Sequence, residues 1–179
     1  ITQYIREHNP WLVVMATRGA DTKEKELVGS VTAEVLDTCR IQAVTIPDST
    51  PIATLSDVRH IVLFSNLDQE DILALDALYR LIPETSEKIH VTIACLPEKK
   101  RTLTDKSIVR THLLNYCREH YPAYTFSTEM LNLDTVINDF SHIEQLRHID
   151  LITVANKKKN IFARLFNPGI AHRLLFHSD

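Results

Sequence analysis

Trp11-Leu12-Val13-Val14-Met15-Ala16-Thr17-Arg18-Gly19, followed after nine residues by Gly29-Ser30-Val31-Thr32-Ala33-Glu34-Val35-Leu36, decides how this chain is read. The apolar run 11–15 has the composition of a short buried strand, and Val31 to Leu36 opens a helical pattern. Two of the chain's three glycines fall between them. A strand, a glycine-containing loop and a helix that starts on Gly-Ser together suit an anion. Small residues let backbone N–H groups approach the ligand, and the helix N-terminus adds the positive end of its dipole.

Counting removes the other glycine patterns. A Walker loop needs two glycines five apart before Lys-Ser/Thr, whereas Gly19 and Gly29 are ten apart. A dinucleotide fingerprint needs three glycines within six residues, and no such cluster exists here. The remaining pattern resembles the nucleotide loop of the universal stress protein family, Gly-x2-Gly-x9-Gly-Ser/Thr after the fourth strand. Here it runs Ala16-x2-Gly19-x9-Gly29-Ser30 and continues with Val31-Thr32, as in the members that bind ATP. Ala16 stands where the family has its first glycine, and its methyl group narrows the approach to the backbone.

The resemblance implies an ATP cradle made of Ala16, Arg18, Gly19, Gly29, Ser30, Val31 and Thr32. The Ala16 and Gly19 backbones would approach the phosphates. N–H groups and the Ser30 and Thr32 hydroxyls would meet them at the helix start. The competing structural reading is a tight strand-to-helix turn, with Gly19 left-handed and Ser30 serving only as a cap.

The net charge of −3 and pI near 6.3 argue against an electrostatic grip on nucleic acid or an anionic membrane. Hydrophobic residues at 44% beside 24% charged residues describe an ordinary globular domain or one and a part. Cys39, Cys95 and Cys117 form no CxxC, and their wide spacing predicts reduced thiols in a cytoplasmic protein. No uninterrupted apolar stretch reaches the roughly 18 residues of a membrane span, and residues 1–10 do not read as a signal peptide.

Along the chain, residues 1–8 read as the end of a helix closed by Pro10, and 11–15 as a strand. A helix from Gly29 to Cys39 and a buried strand Ala43-Val44-Thr45-Ile46 follow, and Pro47-Asp48-Ser49-Thr50-Pro51 reads as a linker. Strands are then predicted at His60–Phe64, Ile89–Leu96, Tyr124–Met130 and Asp150–Val154. Helices are predicted between them at Ile72–Ile82, from Ile108 to near Tyr121, and at Val136–Leu146. Strands alternating with amphipathic helices imply an α/β fold with a parallel, helix-covered sheet.

A repeat emerges when two loops are aligned. Ala155-x2-Lys158-x9-Pro168-Gly169 matches the spacing of the first loop at an offset of 139 residues. At that offset Leu12 falls on Leu151, Val13 on Ile152, Val31 on Ile170, Val35 on Leu174 and Leu36 on Leu175. Residues 1–50 therefore read as the C-terminal part of one unit and 51–179 as a second unit without its last strand. A complete first unit would need roughly 80 further residues upstream. Tandem universal stress proteins carry two such units, each a Rossmann-like parallel sheet of order 3-2-1-4-5 with helices on both faces. The resemblance extends across essentially the whole chain.

The second loop departs further from the family. Lys158 replaces the second glycine, Pro168-Gly169 replaces Gly-Ser, and Asn66 stands where ATP-binding members carry an Asp after strand one. These departures imply that the second unit does not hold ATP. Lys157-Lys158-Lys159 offers charge to another anion, although a solvated loop is the simpler reading.

Other constellations carry less. Cys117 and His120 share a helical spacing but have no second metal-ligand pair nearby. His172 and His177 read as surface residues, and His177-Ser178-Asp179 is adjacency and not a triad. The cluster Ile161-Phe162, Leu165-Phe166 reads as core or subunit-facing surface.

No general acid, base or nucleophile is placed by the first loop, so no catalysis is assigned. The expectation is a nucleotide-linked stress-response binding or signalling module, with slow ATP hydrolysis left open. Pairing through the fifth strand, Ala43–Ile46, is implied either within a tandem protein or as a homodimer. Two alternatives stand beside it: an interaction scaffold that binds no nucleotide, and a cytoplasmic regulatory domain of a membrane antiporter.

Overall fold

The structure, a computed structural model, describes residues 1–16, 30–39, 41–46, 55–65, 67, 69–82, 88–95, 103–130 and 149–155. The chain forms two compact units. The first holds α1 (Thr2–His8), β1 (Val13–Ala16), α2 (Ser30–Thr38) and β2 (Ala43–Ile46). The second begins with a 3-10 turn at Leu55–Asp57. It continues through β3 (His60–Ser65), α3 (Gln69–Leu81), β4 (Ile89–Cys95), α4 (Leu103–His120), β5 (Tyr124–Met130) and β6 (Leu151–Val154). The linker 47–51 and the helix expected at 136–146 lie outside the described residues.

In the first unit, α1 ends where Asn9 turns left-handed (φ 42°), a conformation that asparagine tolerates, and its N–H bonds the Ile5 carbonyl at 2.9 Å. Pro10 then prevents the helix from resuming. β1 and β2 are parallel, with Val13 opposite Ala43 and Ala16 opposite Ile46. The strand expected at 11–15 instead starts at Val13, because the ladder opens with the Val13 N–H on the Gln42 carbonyl. Trp11 lies before it and is 70% exposed.

One face of this pair, through Val13 and Met15, packs on a small core of Ile5, Val35 and Cys39. The other face leaves Val14 58% exposed and Ile46 exposed. Ala43–Ile46 is therefore half-covered, where the apolar run predicts a buried strand. Alternation explains the difference: successive residues point to opposite faces, and among the described residues only one face has helices packed on it.

The second unit has a four-stranded, all-parallel sheet in the order β5-β4-β3-β6. β3 reads as an apolar run, Ile61 to Phe64, because both of its faces are buried, while β4 is buried along most of its length but carries His90 and Thr92 on one face. β5, at the edge of the described sheet, alternates instead: Tyr124 and Phe126 turn into the core, Thr125 and Ser127 to the other face. Ile61, Leu63, Val91 and Ile93 meet Leu75 and Leu78 of α3 and Leu113 and Cys117 of α4 in one core.

The Asp150 carboxylate accepts the Arg59 and His60 N–H groups, each at 2.8 Å, and its own N–H donates to the His60 carbonyl. This stitches the start of β6 to the start of β3. The fold is α/β with parallel sheets. The described strands form one parallel pair, β1-β2, and one four-stranded sheet, β5-β4-β3-β6.

Candidate functional site

β1 ends on Ala16 and α2 begins on Ser30, so the two ends of the first loop are fixed. Thr32, in the first turn of α2, is 4% exposed. Its hydroxyl donates to the Ala16 carbonyl at 3.0 Å. A buried hydroxyl needs a partner, and here the partner is the last carbonyl of the strand. The bond brings the helix start up to the strand end and closes the loop at its base.

The first-turn N–H groups of any helix lack partners within the helix. In α2 no acidic residue stands in the first turn, so the positive end of its dipole is not met by a carboxylate of its own. Val31 is exposed there. Of the seven residues expected to form the cradle, Ala16 and Thr32 are joined directly, and Ser30 and Val31 open the helix beside them. Arg18, Gly19 and Gly29 lie outside the described residues.

The geometry changes the part that Thr32 plays. Sequence reasoning cast it as a hydroxyl donor to phosphate, but its single hydroxyl proton is directed at Ala16. It positions the helix that would offer the donors.

In the second unit the corresponding region is the carboxyl end of β3 and β6. The chain steps outward from β3 to β4 to β5 and then returns to the other side of β3, which makes this a topological switch point. In open α/β sheets ligands settle outside the strands' carboxyl ends at such points. Here the end of β3 is closed on itself. Ser65 Oγ donates to Asp71 Oδ2 at 2.6 Å and accepts the Leu67 N–H at 2.9 Å, with both side chains buried. Leu67 adopts φ 62°, a left-handed conformation uncommon for a bulky residue.

Sequence reasoning missed this brace. Its signal was a serine at a strand end followed six residues later by an acid in a helix's first turn, where the dipole favours a carboxylate. Asn66, Lys158, Pro168 and Gly169 lie outside the described residues.

At the neighbouring strand end, burial pushes the Cys95 thiol up to about 12. Arg110 pulls it down, while Asp71 and Glu129 add to the rise. It is held as a thiol and is no nucleophile in this state. Cys117 is buried in the core and raised to about 11 by burial, whereas His120 is exposed, stacks on Tyr116 and donates through Nδ1 to the Tyr116 carbonyl. The two do not converge. Among the described residues, no group of three or more His, Cys, Asp and Glu side chains is placed to hold a metal ion. Nor is any described helix long and apolar enough to cross a membrane.

No protein-family model matches the chain, and neither does any curated protein.

Proposed function

We propose that this chain is a universal-stress-protein-like module that binds an adenine nucleotide through the loop between β1 and α2. Its role in this reading is binding or signalling linked to a stress response, without committed catalysis. One observation carries it: the Thr32–Ala16 bond joins strand end to helix start at the base of a loop with the spacing Ala-x2-Gly-x9-Gly-Ser. That bond sets the first turn of α2, whose N–H groups have no partner within the helix, beside the strand end, where an anion gains from both the donors and the dipole. The second unit takes no part in nucleotide binding in this reading, because its β3 turn already uses the Ser65 hydroxyl and the Leu67 N–H.

Calorimetric titration of ATP into the full-length protein, beside a Gly29→Asp variant, tests the reading. Saturable binding near one site per chain, lost in the variant, is the expected result. Absence of binding by well-folded wild-type protein refutes it. In that case the interaction scaffold takes its place, a reading favoured by Thr32 having committed its one proton to Ala16.

A further inference from the structure

Four tyrosines of the second unit stand ring to ring, carried by α3, α4, the residue that follows α4, and β5. The Tyr79 ring centre lies 5.3 Å from that of Tyr121 and 5.2 Å from that of Tyr124, and Tyr116 lies 6.4 Å from Tyr121. Tyr121 and Tyr124 belong to the buried core, and Tyr79 and Tyr116 pack against it half-buried. Tyr116 in turn stacks on the exposed His120, which links the row to the surface.

The two buried rings differ in what their hydroxyls meet. Tyr121 Oη donates to Asp76 Oδ1 at 2.6 Å, the length of a hydrogen bond to an ionised acceptor. Tyr124 Oη donates to the Leu78 carbonyl at 3.4 Å, and a backbone carbonyl is an acceptor that does not keep a proton. Burial, then the bond to Asp76 and the charge of that carboxylate, push the Tyr121 phenol well above its ordinary range, so it is neutral at physiological pH. Cys117, beside it, is raised to about 11 by burial and stays a thiol.

A buried phenol gives up an electron at high cost by either stepwise route. Electron loss alone leaves a cation, proton loss alone leaves a phenolate, and an apolar core solvates neither. Losing both together avoids these charges. At Tyr121 the proton has only one short hydrogen bond to cross. The pair begins as phenol and carboxylate with one negative charge. It ends as a neutral phenoxyl radical and a carboxylic acid, and surroundings of low dielectric favour that removal of charge.

We infer that Tyr121 with Asp76 is a redox site, at which a one-electron oxidant such as a peroxide-derived radical takes an electron while the phenol proton passes to Asp76. The Tyr121 O–H bond breaks, an O–H bond forms on Asp76 Oδ1, and the oxidant is reduced by one electron. Direct contact with the oxidant is not required, because the half-buried rings of Tyr79 and Tyr116 lie against Tyr121, which is itself 3% exposed.

Flash photolysis of ruthenium tris-bipyridyl, with methyl viologen as electron acceptor, tests this on the full chain. Electron paramagnetic resonance should find a persistent tyrosyl radical in the wild type, and Tyr121→Phe should lose it. Asp76→Asn still accepts a hydrogen bond but takes no proton, and should lose it too. In the wild type the radical's rate of formation should be constant between about pH 6 and pH 8, since the proton goes to Asp76 and not to solvent. That measurement needs no variant and decides alone if either substitution prevents folding. A rate that climbs with pH overturns the proposal. So does the absence of a tyrosyl radical in the wild type, or its persistence unchanged in well-folded Tyr121→Phe or Asp76→Asn.

Discussion

A threonine hydroxyl has one proton to give, and Thr32 gives it to the carbonyl that ends β1. The consequence is measurable in two ways. Thr32→Val keeps the shape but leaves the half-covered end of the strand without this donor, and should destabilise the first unit by about 1 kcal/mol in urea unfolding. Thr32→Ser should retain most of the bond. If α2 is held in place for a ligand, ATP affinity falls in Thr32→Val and recovers in Thr32→Ser. Equal affinity in both variants would separate the bond from binding.

Ser65 offers a sharper case, because its hydroxyl serves Asp71 and the Leu67 N–H at once and all three residues are buried. Ser65→Ala removes both of these buried bonds and should cost about 1–3 kcal/mol. A loss no greater than that of an exposed serine such as Ser107 would show that the turn finds replacement partners.

Between residues and the whole chain, the elements state what the helices contribute. α3 turns Leu75 fully into the core while Leu73, two positions earlier, is 65% exposed. Leu75→Ala should therefore cost about 2–5 kcal/mol and Leu73→Ala stay within about 0.5 kcal/mol of wild type. Similar losses at both sites in chemical denaturation would contradict the packing of this face.

This level is also where the sequence is most legible. Ile89–Cys95 is rich in β-branched residues and Tyr124–Met130 alternates, and both fold as strands. The parallel α/β character followed from those runs alternating with amphipathic helices. The start of β1 was not legible, because it is set by the Gln42 carbonyl of a strand about thirty residues away. The site was legible only at its base: the spacing of Ala16 and Thr32 could be seen, but the direction of the Thr32 proton could not. The hydrogen bonds of His90 with Thr125 and Ser127 were invisible for the same reason. These partners lie 35 and 37 residues off and meet it only once the β4–β5 register is fixed.

At the scale of the whole molecule, three cysteines report on two units. Cys39 belongs to the first, Cys95 and Cys117 to the second, and all three are buried and outside any disulfide. A thiol raised to about 12, as Cys95 is, has about one part in ten thousand as thiolate at pH 8. Native labelling of Cys95 is therefore limited by opening of the structure both for access and for ionisation, and that of the buried Cys39 by access. The two units differ in what must open. Cys39 is held by Ile5 and Val35 with Val13, Met15 and Ile41 around them. Cys95 and Cys117 sit in a core shared by three strands and both α3 and α4.

Thiol labelling followed by mass spectrometry, at rising sub-denaturing urea, should thus modify Cys39 first and the other two together at higher concentration. Val35→Ala should advance Cys39 alone, because the cavity it opens lies in the first unit's core. If Val35→Ala advances all three equally, the units unfold as one, and the small core around Cys39 draws its stability from the whole chain.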